Sequence, residues 1–222
     1  MNESAKTYAL LSDGQRNLLH GRGLDIGCGD CPVTATALPF DVQHGDANHI
    51  LDTIKDIGSY DFVFSSHCLE HMHDPEASLK DWWRLVKPGG TMMIAVPDED
   101  LYEQGYWPSI FNGDHKHTFT IAKARSWSPV SINVLDLIQR LPDVKEFQVK
   151  LMDQGYERGF MVHGGWTGHR AIRLMVWRAK LIRRFPHFRA CWSFLSKRLN
   201  IPTDQTLDTA LAQILITVIK SK

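Results

Sequence analysis

The sequence has no excess of either charge and no long apolar segment. Its 222 residues carry 25 Lys and Arg against 25 Asp and Glu, so the formal net charge is zero. The longest nearly apolar run, Leu211 to Ile219, is interrupted by Gln213 and is too short to span a bilayer. Residues 1–19 show no basic start followed by an apolar block, so no secretory signal is expected. These absences make a cytoplasmic location the default expectation.

Cysteine is also scarce. The four cysteines show no spacing typical of a disulfide framework, so we expect reduced thiols. Cys28 and Cys31 form a CxxC pattern, but neither a second ligand pair nor a thioredoxin-like context accompanies it. The pattern therefore predicts neither a redox centre nor a metal site.

The neutral total conceals an uneven distribution of charge. Residues 158–203 hold ten Lys and Arg and no Asp or Glu, which leaves 15 basic and 25 acidic side chains in the rest of the chain. Trp and Phe residues interleave with the basic ones. A solvated face normally mixes both signs. We interpret this segment either as a packed helical pair with a solvated basic face or as a surface for an anionic partner.

Strand and helix patterns alternate along the N-terminal half. Gly23–Asp30 predicts a strand that runs into a glycine turn, and Tyr60–Ser66 and Thr91–Pro97 predict two further buried strands. Between those two, Asp74 and Pro75 predict the start of a helix, as its N-cap and first residue, and residues 87–90 predict the turn that ends it. This alternation predicts an α/β fold in which helices cover a mostly parallel sheet.

The C-terminal half predicts two more strands, Lys145–Met152 and Ala212–Lys220. Helical patterns fill the space between them, over about residues 168–184 and 187–199. We therefore expect residues 158–203 to form a basic, aromatic helical insertion before the last strand.

Four motifs follow one another between Leu24 and Gly90. They are Leu24-Asp25-Ile26-Gly27-Cys28-Gly29, Gly45-Asp46-Ala47, the run from Tyr60 to His71, and Asp74-Pro75 with Leu85-Val86-Lys87-Pro88-Gly89-Gly90. In these motifs the sequence resembles the class I S-adenosylmethionine-dependent methyltransferases. The resemblance covers about residues 21–119. It implies a Rossmann-like sheet, mostly parallel with an antiparallel last strand, in a single domain of residues 1–222.

The resemblance also implies S-adenosylmethionine as the cofactor. The backbone of Gly27, Cys28 and Gly29 would pass under its methionine part. Asp25 would help to hold the ammonium group, and Asp41 would accept hydrogen bonds from both ribose hydroxyls. The other expected contacts are Asp46 and Ala47 at the adenine edge, and the backbone of Ser65, Ser66 and His67 along the methionine.

Two features depart from the family pattern. Cys31 stands where a third glycine is usual, and only 11 residues separate Gly29 from Asp41. That spacing leaves little room for a helix and a strand. We therefore expect the first crossover helix to be reduced to a turn or two.

Histidines supply the candidates for catalysis. A hydroxyl nucleophile usually needs a base, and imidazole has a suitable pKa near neutrality. We expect His115 to be the base, with His117 next; both follow the third strand. His67 is a further candidate, for which a structural or cofactor-lining role is equally compatible. No spacing among the histidines fixes a metal site, so no metal is expected.

The expected function is methyl transfer to a small molecule or glycan, at oxygen rather than nitrogen. An anionic or lipid-linked acceptor and a peripheral membrane contact through residues 158–203 would suit the basic segment. Two alternatives stay open: a catalytically idle methyltransferase-like binding module, and an RNA methyltransferase that uses the basic segment. The acidic remainder of the chain argues against a nucleic-acid partner.

Overall fold

A six-stranded sheet forms the centre of the computed structural model, which describes residues 3–161, 168–185, 198, 201–207 and 209–222. The strands within these residues are β1 (Gly23–Ile26), β2 (Ala37–Phe40), β3 (Tyr60–Ser66), β4 (Val86–Pro97), β5 (Thr118–Thr120), β6 (Ser131–Asn133), β7 (Val144–Met152) and β8 (Gln213–Lys220). The α-helices are α1 (Glu3–Ala9), α2 (Asp13–Asn17), α3 (Ile50–Thr53), α4 (Pro75–Leu85), α5 (Val134–Gln139) and α6 (Gly168–Arg184).

The strand order in the main sheet is β2-β1-β3-β4-β8-β7. The first four strands in this order, β2, β1, β3 and β4, are parallel. β8 runs antiparallel to both of its neighbours, β4 and β7. The expected mostly parallel α/β sheet with an antiparallel last strand is confirmed. Because β1, β2 and β3 run in the same direction, the loops that follow them meet at one edge of the sheet.

Both faces of the sheet are buried under apolar side chains. Phe62 and Phe64 of β3 belong to the cluster on one face, and Val63 between them belongs to the cluster on the other. Trp82 and Trp83 of α4 are buried in the same cluster as Val63. Burial of each large side chain contributes roughly 1.5–3 kcal/mol, so the sheet is a firm base for the loops at its edge.

Local sequence signals explain the ends of α4. Asp74 is the N-cap and accepts a hydrogen bond from the backbone N–H of Ala77, and Pro75 is the first helical residue, as predicted. The predicted turn at residues 87–90 lies inside β4, but there the strand leaves the regular ladder. Val86 pairs with Tyr60 whereas Thr91 pairs with Phe62, so the intervening residues bulge out.

The connection from β1 to β2 contains no helix among its described residues, 27–36. Turns replace it, and two hydrogen bonds hold them. The backbone N–H of Gly27 donates to the carbonyl oxygen of Phe40 over 2.8 Å, and that of Val33 donates to Oδ2 of Asp25 over 2.6 Å. The short spacing therefore predicted the reduced crossover correctly.

Part of the basic segment is described. Helix α6 covers the predicted residues 168–184 and lies between β7 and β8 in chain order. The second predicted helix, at 187–199, lies outside the described residues except for Arg198. Of the helices that the structure describes, none has the length and apolar character needed to cross a membrane.

Candidate active site

A cleft of about 500 Å³ opens at the edge of the sheet where β1, β2 and β3 end. Three loops line it, each directly following one of these strands. Its lining residues are Gly27 after β1; Asp41, Val42, Gly45, Asp46, Ala47 and Asn48 after β2; and His67, Cys68, His71 and Met72 after β3. Five of the residues predicted to contact the cofactor are therefore in the lining: Gly27, Asp41, Asp46, Ala47 and His67.

The glycine turn after β1 requires glycine for two different reasons. Both Gly27 and Gly29 have left-handed backbone conformations, with φ of 76° and 58°. A Cβ at Gly27 would lie 2.7 Å from Cβ of Cys68, so the glycine allows close packing. A Cβ at Gly29 would have no described heavy atom within 4 Å. Gly29 is exposed and lies outside the cleft lining, and the open space over it fits a ligand lying on the turn.

Asp41 joins the turn to the end of β2. Its Oδ2 accepts a hydrogen bond from the backbone N–H of Gly29, and its Oδ1 accepts one from that of Val42, both over 2.7 Å. Each carboxylate oxygen has two lone pairs, so each can accept one more hydrogen bond. This arrangement fits the two ribose hydroxyls predicted for it.

The loop that carries Asp46 and Ala47 is fixed from both sides. Oδ1 of Asp46 accepts from the backbone and side-chain nitrogens of Asn48, and these bonds lower the pKa of Asp46. Oδ1 of Asn48 in turn accepts from the backbone N–H of His73 over 2.7 Å. Nε1 of the buried Trp82 donates to the carbonyl oxygen of Ala47 over 3.0 Å. The core of the domain thus positions this rim of the cleft.

Four predicted cofactor residues are buried beside the cleft rather than in its lining. Burial raises the pKa of Asp25 to about 7, and its Oδ1 accepts no hydrogen bond from the described residues. Burial likewise raises the pKa of the Cys28 thiol to about 11. Oγ of Ser65 donates to the carbonyl oxygen of Ile26 over 2.9 Å, and Ser66 is also buried. Their expected cofactor contacts remain predictions.

A second cavity, of about 270 Å³, lies behind the residues that follow β3. His67 and His71 line both cavities, so they form a shared wall. The other residues of the second cavity are Glu3, Glu70, Tyr102, Phe111, Asn112, His115, Asp204, Thr206 and Leu207. The two cavities are thus arranged like a donor site beside an acceptor site.

His67 belongs to a buried ion pair. Its Nδ1 lies 3.5 Å from Oε1 of Glu70, and its Nε2 lies 2.8 Å from Oε1 of Gln213. Burial alone would lower the pKa of His67, but the contacts with Glu70 and Gln213 outweigh burial and raise it. Burial would raise the pKa of Glu70, and the neighbouring histidines, His67 above all, lower it instead. Each member of this pair therefore favours the charged form of the other.

The two histidines predicted as bases occupy different places. His115 is buried in the second cavity, where its Nδ1 lies 2.7 Å from Oε1 of Glu103. His117 lines neither of these cavities. It belongs to a separate cleft of about 480 Å³ that also includes His73 and Arg140, and its Nε2 is 3.3 Å from the carbonyl oxygen of His73.

Two acidic residues were not predicted from the sequence: Glu70 in the lining of the second cavity, and Glu103 behind it in contact with His115. Glu70 stood in the quoted motif but carried no sign that it would be fully buried. Glu103 ends a π-helical turn, Glu99–Glu103, which follows β4 and is capped by Asp98. Such turns occur often at functional sites, but no local pattern in the sequence indicated this one.

Comparison with known proteins agrees with this geometry. The methyltransferase domain family matches residues 5–128. A ubiquinone biosynthesis O-methyltransferase from Maricaulis maris is 37% identical over 59 residues, which are 27% of this chain and 22% of that protein. The match thus spans about a fifth of the length of this curated relative.

Two solved structures have the same fold. A SAM-dependent methyltransferase from Archaeoglobus fulgidus is 15% identical, with a TM-score of 0.52 and coverage of 98% of this chain and 94% of the other. A Bacillus halodurans protein described as a methyltransferase is 13% identical, with a TM-score of 0.50 and coverage of 94% and 97%. At this level of identity the likeness concerns the fold alone.

Proposed function

The chain belongs to the methyltransferase domain family, and we propose that it transfers a methyl group from S-adenosylmethionine to an oxygen atom of a small molecule or glycan. The resemblance to class I methyltransferases and the choice of cofactor are confirmed by this membership. The observation that carries the finer proposal is the shared wall of His67 and His71 between two cavities. The cleft holds the donor, and the second cavity holds the acceptor.

The cleft offers suitable groups for each part of the cofactor. When bound, S-adenosylmethionine supplies a methyl group attached to a positively charged sulfur. Asp41 binds the ribose hydroxyls, and the backbone around Gly29 lies under the methionine. Asp46 and Ala47 face the adenine edge, while Val42, whose side chain is 89% exposed, covers the base. Asp25 holds Val33 below the turn, and its unpartnered Oδ1 remains available to the ammonium group.

The second cavity places an acceptor directly beside the cleft. Methyl transfer is an in-line displacement, so alignment of the attacking oxygen contributes much of the rate. The acceptor oxygen loses its proton as the new carbon–oxygen bond forms and the methyl–sulfur bond breaks. Glu70, His71 and His115 line the cavity together and are the groups that can take this proton. Both ring nitrogens of His67 face partners, Glu70 and Gln213, so this residue serves to bind rather than to accept a proton.

The lining of the second cavity also bears on the acceptor's charge. Three carboxylates, those of Glu3, Glu70 and Asp204, line it, and none of its described lining residues is Lys or Arg. This charge favours a neutral acceptor over an anionic one at the reacting end. An anionic or lipid-linked part of the acceptor would have to lie elsewhere.

Helix α6 is the place for such an anionic contact. Trp177 and Phe185 are 47% and 46% exposed, and the basic residues Lys180 and Arg184 lie at helical spacing from Trp177 on the same face. Exposed aromatic and basic side chains on one face suit the surface of an anionic membrane. We propose a peripheral contact there. Co-sedimentation with phosphatidylserine vesicles, lost when Lys180 and Arg184 become Gln, would support it.

Incubation of the purified chain with S-adenosylmethionine and a panel of phenols, sugars and amines tests the transfer itself. Formation of S-adenosylhomocysteine with a hydroxyl acceptor supports the proposal, which the O-methyltransferase relative also favours. Transfer to amines alone would overturn the preference for oxygen. Tight binding of the cofactor with no transfer to any acceptor would favour the idle binding module.

A further inference from the structure

Three side chains of the second cavity converge on one point. Nε2 of His71 and Nε2 of His115 each lie 3.9 Å from Oε1 of Glu70. One ligand atom of each residue lies within 4.8 Å of the others. We propose that Glu70, His71 and His115 bind a divalent transition-metal ion, with its remaining coordination positions facing the acceptor cavity.

Both histidines are oriented as metal ligands usually are. Nδ1 of His115 lies 2.7 Å from Oε1 of Glu103, and Nδ1 of His71 lies 3.2 Å from the carbonyl oxygen of Asp114. An oxygen partner at Nδ1 favours the tautomer with its proton on Nδ1, in which the lone pair of Nε2 is directed toward Glu70. Metal-binding histidines commonly have such an outer partner, which fixes the tautomer and the orientation of the ring.

The carboxylate of Glu70 provides an independent indication of a cation site, because its contact with His67 does not satisfy it. The residue has no exposed surface, and neither of its carboxylate oxygens accepts a hydrogen bond within the described part of the chain. Its contact with Nδ1 of His67 is a long one, at 3.5 Å. A buried carboxylate without hydrogen bonds is unfavourable unless a cation compensates it. A metal ion at the convergence point would satisfy it directly.

The backbone holds this carboxylate in place for such a role. The carbonyl oxygen of Glu70 accepts hydrogen bonds from the backbone N–H groups of Lys116 and His117, over 2.9 Å and 3.2 Å. These bonds join the loop after β3 to the loop that carries His115. Ligands from two distant parts of the sequence are thereby kept together.

The ligand types point to zinc or a similar first-row ion. Two imidazole nitrogens and one carboxylate oxygen form a frequent catalytic set, with ligand bonds of about 2.0–2.2 Å. Around a tetrahedral ion with such bonds the ligand atoms lie about 3.4 Å apart, so each histidine nitrogen would need to approach Oε1 of Glu70 by about half an ångström from 3.9 Å. The further carboxylates of Glu3 and Asp204 in the lining also favour a cation.

A metal ion at this site would take part in the proposed methyl transfer, and its catalytic role rests on that proposed function. An acceptor hydroxyl bound at an open position loses its proton more readily, because the ion stabilises the resulting oxygen anion. With the ion bound, His71 and His115 would be ligands rather than bases, and the proton of the acceptor hydroxyl would pass to water in the cavity. The acceptor oxygen then forms the new bond to the methyl carbon as the methyl–sulfur bond breaks.

Calorimetric titration of Zn²⁺ into the full chain, first freed of metal by a chelator, tests the site. We expect one ion per chain, and with Co²⁺ in its place a visible absorption band typical of low coordination. Glu70→Gln and His71→Ala should each lose stoichiometric binding, and Glu103→Gln should weaken it by about 10–100-fold. His20→Ala, which changes an exposed histidine elsewhere, should bind as the wild type does.

Circular dichroism shows whether each variant is folded. His71→Ala should disturb the fold least, because the His71 side chain is 28% exposed. Absence of Zn²⁺ and Co²⁺ binding by the folded wild type would overturn the proposal and leave a buried ion-pair network. Unchanged binding by the folded His71→Ala and Glu70→Gln variants would overturn it as well. Titration with S-adenosylhomocysteine, run in parallel, tests the proposed function separately, because failure of either titration leaves the other intact.

Discussion

The backbone N–H of Gly29 donates a 2.7 Å hydrogen bond to Oδ2 of Asp41. This bond links the glycine turn after β1 with the loop after β2, across a crossover whose described residues, 27–36, contain no helix. Gly29 leaves open space above the turn, and Asp41 presents its two carboxylate oxygens beside it. The pair thus marks the place, at the edge of the cleft, where the cofactor's ribose and methionine would meet.

Gly29→Ala should weaken binding of S-adenosylhomocysteine at least tenfold, because the new methyl group enters the open space over the turn. Gly58→Ala is a matched control, with a similar φ of 66° and an equally open Cβ position. Both variants should lose about 1–2 kcal/mol of stability through backbone strain. Equal affinities of the two variants in isothermal titration would show that the space over Gly29 is not used.

Asp41→Asn should weaken cofactor binding by about 10–100-fold, an expectation of roughly 1.4–2.8 kcal/mol. The amide oxygen can still accept from Gly29, but the amide nitrogen cannot accept from a ribose hydroxyl. Asp52→Asn removes the same charge at an exposed position outside the cleft lining and should change affinity less than twofold. A similar loss in both variants would indicate a general effect of charge instead of a ribose contact.

Trp82→Phe should weaken cofactor binding several-fold, because it removes the hydrogen bond that holds Ala47 at the rim of the cleft. Trp83→Phe is its counterpart on the same helix, since Nε1 of Trp83 donates to the carbonyl oxygen of Pro142 instead. Each variant should lose about 1–3 kcal/mol of stability, by denaturant unfolding. Affinity unchanged in Trp82→Phe would mean that the loop keeps its position without this bond.

Asp25→Asn should change how stability depends on pH. The folded pKa of Asp25, about 7, lies above its ordinary value of 3.8 because burial disfavours the charged form. Its contribution to stability is therefore full below pH 4 and is lost as the pH rises through 7. The neutral amide avoids this loss and can still accept from the backbone N–H of Val33.

The difference in unfolding free energy between Asp25→Asn and the wild type should therefore shift in favour of the variant from pH 4 to pH 8, by up to about 4 kcal/mol. Urea unfolding of both proteins across this range measures it. If the unfolding free energies of the two proteins changed in parallel with pH, the pKa of Asp25 would not be raised in the folded state, and the prediction would be wrong.

Local patterns in the sequence were sufficient for much of the fold. Tyr60–Ser66 was predicted as a strand with the bounds that the structure shows, and α6 has its predicted bounds of residues 168–184. Both segments have a strong apolar periodicity or a continuous apolar run. Residues 87–90 were predicted as a turn, yet they lie inside β4 as a bulge, because pairing with β3 resumes on the far side.

The second cavity and its surroundings could not be predicted in the same way. Glu70, Glu103 and His115 come together only through the packing of three separate loops, and an acidic residue in a sequence normally indicates an exposed position. The histidines were visible as candidates, but their spacing fixed no shared site. His117 stands only two residues from His115 and nevertheless lines a different cleft.

Isothermal titration of the wild-type chain with S-adenosylhomocysteine tests the central claim most directly, because every further step depends on a working donor cleft. We expect one molecule bound per chain with micromolar affinity, and at least tenfold weaker binding by Asp41→Asn. No detectable heat with S-adenosylhomocysteine or S-adenosylmethionine, from a chain that circular dichroism shows to be folded, would contradict the account.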